Sequence, residues 1–220
     1  MIRYTADPAH PDARRGLLQR LFARMYANYD ALAERYEQAV SDHKRRLFAD
    51  LQGTIVEIGA GTGANFPYYP PGIDWIGIEP NVFMHDALLK AAEKYAIRGE
   101  MRVGVAERID LPNSSVDAVV STLVLCSVDH QHAALREILR VLKPGGGFLF
   151  VEHVAAPAGT GLRRAQTLIK PLWKIAADGC RPDRDTVSAI RAAGFSSVEV
   201  SAFRAPLAIV SPHIAGKAIK

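Results

Sequence analysis

The chain has 220 residues, of which 49% are hydrophobic and 23% are charged, a composition that favours one folded domain and excludes wholesale disorder. The net charge of +4 comes without a lysine and arginine tract, and no apolar run approaches the roughly 18 residues that cross a membrane. The N-terminal residues do not resemble a signal peptide. We therefore expect a cytoplasmic protein with no nucleic-acid partner and no transmembrane segment.

Residues 1–52 are predicted to form an N-terminal helical cap. Apolar side chains recur there at steps of three and four residues, which is the spacing of one helix face: Leu17, Leu18, Leu21, Phe22, Met25, Tyr26, Tyr29 and Leu32. From residue 53 to 220, short β-branched runs alternate with helical patterns. This alternation predicts an α/β domain with a mostly parallel sheet and helices on both faces. The runs SSVEVSAF and AGKAIK predict a closing pair of strands.

The segment 159–180 interrupts that alternation with a basic amphipathic stretch. Pro171 lacks a backbone donor, so we expect it to kink or split the helix. We interpret this segment as a lid insertion over a binding site. Two alternatives are packing on the sheet edge and peripheral contact with a membrane surface through the basic face.

The strongest functional signal is Val56-Glu57-Ile58-Gly59-Ala60-Gly61-Thr62-Gly63, which follows a predicted strand and opens a helix. Glycine allows a positive φ and lets a ligand lie against the main chain. The pattern E-x-G-x-G-x-G differs from the G-x-G-x-x-G of nicotinamide-binding turns. The alternative is a tight turn without a ligand. We predict that the following residues bind a cofactor: Glu57, Gly59, Ala60, Gly61 and Gly63.

Two further strand ends carry polar groups. Glu79 and Pro80 close the next predicted strand, where a carboxylate can accept hydrogen bonds from both ribose hydroxyls of a nucleoside. Ala106 and Glu107 end the strand after it, where they can meet an adenine edge. Met84 is placed to pack on the adenine or within the core. The alternative for Glu79 is a solvated acid at a strand end.

These strand ends resemble those of class I S-adenosylmethionine-dependent methyltransferases, and LPNSSVD, STLVLCSV and LREILRVLKPGGGFLFVEH extend the resemblance. It implies a Rossmann-like fold with a seven-stranded, mostly parallel sheet and a closing antiparallel strand. The implied cofactor is S-adenosyl-L-methionine, with S-adenosyl-L-homocysteine as the product. Val105 stands where the family often has an acid, so adenine recognition is expected to rest on backbone groups or Glu107. Further expected cofactor contacts are Tyr29, Asn65, Thr122 and Leu123.

A closer resemblance is to the thiol S-methyltransferases called methyltransferase-like protein seven. It is carried by EIGAGTGANF, TLVLCSV, Asp178-Gly179-Cys180 and the terminal PHIAGKAIK, and it runs from about residue 43 to the C-terminus. It implies methyl transfer to a small sulfur acceptor, either sulfide or an alkyl thiol. The hydrophobic N-terminal anchor of that family is missing here, so we expect its chemistry without its anchor.

Three residues are the candidates for the acceptor side of the reaction. His153 ends a predicted strand and can orient or deprotonate an acceptor, although a structural histidine there is equally compatible with the pattern. The resemblance adds Asp178 and Cys180 as pocket residues. No metal site is predicted, because His130 and His132 would face different ways on a helix and two cysteines are too few for a four-ligand zinc site.

The sequence is also compatible with three other functions. The first is oxygen, nitrogen or carbon methylation of a quinone or another natural product, for which His153 would be the best general base. The second is a nicotinamide oxidoreductase, which the glycine-rich turn and Glu79 also suggest. The third is a protein that binds the cofactor without catalysis.

Overall fold

The computed structural model describes residues 2–5, 13–27 and 30–220. In chain order, its helices and longer strands are β1 (Ile2–Thr5), α1 (Ala13–Ala27), α2 (Asp30–Phe48), β2 (Thr54–Ile58), β3 (Asp74–Ile78), α3 (His85–Lys94), β4 (Gly99–Arg102), β5 (Val116–Thr122), α4 (Gln131–Val141), β6 (Leu142–His153), α5 (Gly161–Ala176), α6 (Thr186–Arg191), β7 (Ser197–Arg204) and β8 (Pro212–Ile219). Two short 3-10 turns, Phe66–Tyr68 and Val82–Met84, follow the ends of β2 and β3.

These strands form one eight-stranded sheet in the order β1-β4-β3-β2-β5-β6-β8-β7. Strand β8 runs antiparallel to β6 and β7, and the other neighbours are parallel, which confirms the mostly parallel sheet with its closing antiparallel strand. The expected count of seven strands was wrong, because β1 adds an edge strand that pairs Ile2 with Gly99. The segment 1–52 is therefore not purely helical. Four residues are too few for periodicity to reveal a strand.

Side chains that alternate along the strands bury both faces of the sheet. Ile55 of β2 packs with Phe48 of α2 and Leu88 of α3. Its neighbour Val56 packs on the opposite face, with a group from α4 and α6 that includes Leu135 and Ile190. Because helices cover both faces, the sheet can present a binding site only at its edges, and the carboxyl edge is the usual place in parallel sheets.

Helix α5 is continuous through Pro171, so of the expected kink or split, the split does not occur. The side chain of Thr160 caps its first turn by accepting from the Arg163 N–H at 3.2 Å. Near the middle, the fully buried Gln166 amide accepts from Ala156 N at 2.8 Å and donates to Ile209 O at 2.9 Å. Pro171 removes one hydrogen bond from the helix, and these contacts fix the part of α5 that precedes it. Within the described residues, no helix combines the length and apolar character needed to span a bilayer.

Trp75 in β3 provides a test of the core on the α2 and α3 face. It is fully buried, and its indole N–H donates to Glu57 Oε2 at 2.8 Å. We expect Trp75→Phe to lower the free energy of unfolding by about 1–3 kcal/mol, because a buried carboxylate loses a donor. Urea denaturation followed by circular dichroism measures this change. Tyr95→Phe on the surface is the control, and equal midpoints for the two variants would contradict the expectation.

Candidate active site

A cavity of about 490 Å³ lies at the carboxyl edge of the sheet, a size typical of small-molecule sites. The ends of β3, β5 and β6 and the loops after β2 and β4 supply its floor. Helices α1 and α5 add its outer walls, with Leu18, Gln19 and Phe22 from α1 and Trp173, Lys174 and Ile175 from α5. The predicted residues that line it are Gly59, Gly61, Glu79, Pro80, Met84, Ala106, Glu107, Thr122, Leu123, His153, Asp178 and Cys180.

Within the glycine-rich turn, Gly61 is the residue whose bare backbone faces open cavity. Its φ is +56°, and a Cβ placed there would have only Met84 Sδ and Gly59 O near it, at 3.8 and 3.9 Å. By contrast, a Cβ on Gly59 would lie 2.4 Å from Val124 Cγ2, and one on Gly63 would lie 2.7 Å from the Phe66 ring. Packing therefore requires Gly59 and Gly63 whether or not a ligand binds, and Gly61 provides the space for close approach.

Glu79 ties this turn to the end of β3. Its Oε2 accepts from Gly61 N at 2.8 Å and its Oε1 from Asn81 N at 2.7 Å. Burial raises the pKa of Glu79 to about 7, although the Asn81 and Gly61 N–H groups partly oppose that rise. Each carboxylate oxygen can accept a second hydrogen bond, so Glu79 can still receive two hydroxyl donors.

Glu57 does not line the cavity. Its Oε1 accepts from Asn65 Nδ2 at 2.8 Å and its Oε2 from Trp75, so the carboxylate is used inside the core. Burial raises the pKa of Glu57 above its usual range. Ala60, Gly63 and Asn65 are likewise absent from the lining, and we interpret all four predicted contacts as supports of the turn. Tyr29, also predicted to contact the cofactor, lies outside the described residues.

On the predicted adenine side, Met84, Ala106 and Glu107 line the cavity together with Val105. Glu107 Oε1 accepts from His130 N at 3.0 Å, which leaves its second oxygen for an exocyclic amine. Across the cavity, Leu123 has a φ of +58°, a strained conformation for a branched residue and one that clusters at functional sites.

The acceptor side is built around Cys126, His153 and Cys180, all of them buried. Two N–H-bearing rings contact one sulfur: His153 Nε2 lies 3.0 Å from Cys180 Sγ, and Trp173 Nε1 donates to it at 3.2 Å. The hydrogen bond from Cys126, aided by Trp173, lowers the pKa of Cys180. That same bond to Cys180, together with burial, raises the pKa of Cys126. Cys180 is therefore the more acidic of the two thiols.

Asp178 lies between the cofactor half of the cavity, which contains Gly61 and Glu79, and the acceptor half, which contains Cys126, His153 and Cys180. Its Oδ2 accepts from Asn81 Nδ2 at 3.3 Å, and Asn81 also donates its backbone N–H to Glu79. Asp178 has a φ of +44°, so the turn after α5 is strained where it meets the cofactor side. All three predicted acceptor-side residues, His153, Asp178 and Cys180, thus line the cavity, and two of them, His153 and Cys180, contact each other.

Sequence reasoning missed several residues that support this wall. Glu152 accepts from Ser121 Oγ at 2.5 Å and from the backbone N–H groups of Val124 and Leu125. Arg184 donates to Leu125 O at 2.8 Å and to Val128 O at 2.6 Å. The sequence did offer a signal for Glu152, because it is an acid directly before His153 at the end of an apolar predicted strand. No sequence pattern marks Arg184.

The cavity has the features that an adenosyl cofactor requires. Gly61 leaves room for close approach, Glu79 offers a buried carboxylate beside it, and Met84 gives an apolar face. With the central parallel sheet and this carboxyl-edge site, the fold and site define a class I methyltransferase that uses S-adenosylmethionine. The comparisons with known proteins make the assignment specific.

A family model described as a methyltransferase domain matches residues 56–150. The chain is 40% identical over 198 residues to the human thiol S-methyltransferase TMT1A, covering 84% of this chain and 81% of that protein. It is 41% identical over 202 residues to rat TMT1B, covering 86% and 83%. The chain belongs to this family of thiol S-methyltransferases. That membership confirms the resemblance to class I methyltransferases and the closer resemblance to thiol S-methyltransferases. It also excludes a nicotinamide oxidoreductase as the alternative function.

Solved structures show the same fold. A Thermotoga maritima SAM-dependent methyltransferase, described as a possible histamine N-methyltransferase, matches with a TM-score of 0.64 and 24% identity, covering 92% of this chain and 99% of that one. The [4+2]-cyclase SpnF matches with a TM-score of 0.66 and 19% identity, covering 83% and 80%. Since a cyclase shares this fold, the fold alone does not fix the reaction, and the site must do so.

Glu79 predicts how cofactor affinity depends on pH. We expect ribose hydroxyls to donate to the ionised carboxylate of Glu79. Burial raises the pKa of Glu79 to about 7, so binding below that pH must first remove a proton. We expect the Kd for S-adenosylhomocysteine to be about tenfold higher at pH 6 than at pH 8. Calorimetry at the two pH values measures this difference.

The matched variant is Glu79→Gln, which should bind S-adenosylhomocysteine more weakly and with little pH dependence between those values. The loss corresponds to about 1.5–3 kcal/mol for a hydrogen bond to a charged group. Glu93→Gln on the exposed side of α3 is the control. The same pH dependence in Glu79→Gln would show that another group titrates.

Gly61→Val is expected to abolish binding of S-adenosylhomocysteine, since the side chain would fill the space in front of the turn. Gly145→Val is the matched control, because Gly145 has a similarly positive φ of +76° and no atom near its added Cβ. Both variants should lose comparable stability from backbone strain. Equal affinity in the two, measured by calorimetry, would mean that the cofactor does not lie against Gly61.

Proposed function

We propose that the chain transfers the methyl group of S-adenosylmethionine to a small sulfur acceptor, either sulfide or an alkyl thiol. The observation that carries this proposal is the wall of Cys126, His153 and Cys180 in the cavity that Gly61 and Glu79 also line. The family supports it, because its curated members in human and rat are thiol S-methyltransferases.

The surroundings of this wall suit a reaction between opposite charges. When bound, S-adenosylmethionine supplies a methyl group on a positively charged sulfur. Apolar side chains dominate the neighbouring lining, and they are Leu123, Val124, Trp173, Ile175, Leu207 and Val210. Such a chamber excludes water, which would otherwise stabilise an anionic acceptor apart from a cationic donor. A free thiol ionises near pH 8.5, so a small thiol needs little help to reach its reactive form.

His153, Asp178 and Cys180 are proposed as the catalytic residues. His153 Nε2 and Cys180 Sγ form the polar part of the acceptor wall and can hold an acceptor S–H in one orientation. Asp178 stands beside Asn81 and Glu79, so it can fix the acceptor wall relative to the cofactor. The contribution of these groups is mainly position, and a displacement of about 1 Å can cost roughly 100-fold in rate.

The outer walls are proposed to exclude water. Trp173 and Ile175 of α5 and Phe22 of α1 line the cavity. These contacts support the interpretation of residues 159–180 as a lid and of residues 1–52 as a cap over the domain of residues 53–220. We also propose a cytoplasmic location, since the two buried cysteines are free thiols and reduced thiols persist in that compartment.

The test is methyl transfer with a panel of sulfide, alkyl thiols, phenols and quinones, with products identified by mass spectrometry. We expect S-methylated products, and turnover only with phenols or quinones would overturn the sulfur assignment. No turnover with any acceptor, despite tight binding of S-adenosylhomocysteine, would indicate a cofactor-binding protein without catalysis.

His153→Gln and Cys180→Ser test the acceptor wall. We expect each to lower kcat/KM for the thiol by about 100-fold, because the acceptor loses its orientation. The Kd for S-adenosylhomocysteine should stay unchanged, which separates lost positioning from lost folding. His132→Gln, an exposed histidine of α4, is the control. An unchanged kcat/KM in both variants would remove His153 and Cys180 from the reaction.

A further inference from the structure

Cys126, His153 and Cys180 bring three soft or borderline donor atoms to one point. The two Sγ atoms and one ring nitrogen of His153 all lie within 4.8 Å of one another, and each residue is buried. They come from three separate places, namely the loop after β5, the end of β6 and the turn after α5. In the described part of the chain, this is the one group of three or more such side chains placed to share an ion.

Backbone hydrogen bonds fix the positions of these donors. Arg181 N donates to Cys126 O at 3.0 Å, which joins the turn after α5 to the loop after β5. Cys180 N donates to Ala177 O at 3.0 Å, so the backbone that carries the second sulfur is part of a hydrogen-bonded turn. His153 is the last residue of β6, paired in register with His213 of β8. A donor set held on a rigid frame loses little entropy when an ion binds.

We propose that Cys126, His153 and Cys180 form a site for a thiophilic divalent cation of the zinc class, with its fourth coordination position open to the cavity. Zn²⁺ takes thiolate and imidazole ligands in a tetrahedron, and three protein ligands with one open position are the pattern of a catalytic site. Binding releases the two thiol protons to solvent, so the dication and two thiolates leave a neutral buried centre.

The three donor atoms lie near the spacing that a tetrahedral ion requires. Zn–S bonds of about 2.3 Å and Zn–N bonds of about 2.0 Å at tetrahedral angles place sulfur and nitrogen about 3.6 Å apart and the two sulfurs about 3.8 Å apart. His153 Nε2 and Cys180 Sγ lie 3.0 Å apart, so they must separate by about half an ångström when the ion replaces the proton between them. The two sulfurs and the ring nitrogen all lie within 4.8 Å of one another before any ion binds.

The open position faces the lining that Trp173, Leu123 and Leu207 share with the three donors. This part of the inference rests on the proposed function: the sulfur of the acceptor would take the fourth position and lose its proton to solvent on coordination. In the metal-bound form, His153 therefore acts as a ligand and holds the acceptor through the ion.

The experiment uses Co²⁺ as a spectroscopic probe on the full chain, first stripped with a chelator and kept reduced with a phosphine. We expect one equivalent of Co²⁺ to give a near-ultraviolet thiolate-to-cobalt charge-transfer band and strong tetrahedral bands in the visible. One equivalent of Zn²⁺ should abolish both. Cys126→Ser and Cys180→Ser should each lose about half of the charge-transfer intensity, because each supplies one of two thiolates.

His153→Gln should shift the visible bands, and His132→Gln should leave the spectrum unchanged. Binding of S-adenosylhomocysteine serves as the folding check for each variant. A reduced, folded wild-type chain without the charge-transfer band would overturn the site. So would a mass two hydrogens lower under the same reducing conditions, since the sulfurs would then form a disulfide.

The test separates this inference from the proposed function. Thiol methylation by a chain that gives no cobalt band would overturn the metal site and leave the methyltransferase assignment standing. A cobalt band in a chain that methylates only phenols or quinones would support the metal site and overturn the sulfur acceptor.

Discussion

The carboxylate of Glu152 holds together the part of the sheet on which the site depends. It lies at the end of β6, accepts from Ser121 at the end of β5, and binds the backbone N–H groups of Val124 and Leu125 in the following loop. These bonds are costly to break, because the side chain is fully buried and its acceptor oxygen would be left without a partner or water. The loop they fix carries Leu123 in its strained conformation and presents Cys126 to the cavity.

Glu79 has the corresponding role on the cofactor side, where it joins the glycine-rich turn to the end of β3. The two buried acids thus anchor the two halves of the cavity, each by accepting backbone N–H groups. Asp178 links the halves through Asn81. Position in this site comes from hydrogen bonds to loop backbone, which is why a few side chains can set the geometry of a cavity lined mainly by apolar groups.

The sequence predicted the sheet, its closing antiparallel strand and the positions of Gly61 and Glu79 at the cavity, because these depend on local patterns. Gly61 and Glu79 follow strands directly, so their positions in the chain predict their positions in the fold. Spacing does not tell which glycine faces a ligand and which faces a neighbouring side chain, and the structure separates Gly61 from Gly63 on that ground. Glu57 was predicted at the ligand for the same reason, yet it faces the core.

The acceptor half was harder to predict, because its parts are distant in sequence. Cys126, His153 and Cys180 are separated by long stretches of chain, and only the tertiary fold brings them within 4.8 Å. Strands β5 and β6 are parallel and end at the same edge of the sheet, which places Cys126 near His153. The turn after α5 lies at that edge as well and adds Cys180. Periodicity contains no such information, and the count of two cysteines argued only against a four-ligand zinc site.

Strand β1 has a consequence for how α1 is held against the domain. It pairs with β4 at one edge of the sheet, while α2 packs through Tyr36 and Val40 against Val151 of β6 and Ala215 of β8. The described strand before α1 and the described helix after it thus both pack on the sheet, which places α1 at the carboxyl edge beside the cavity. Asn81 Nδ2 donates to Gln19 O of α1 at 3.2 Å, and the same residue contacts Glu79 and Asp178. A substitution at Asn81 would therefore disturb the outer wall, the cofactor side and the acceptor side together.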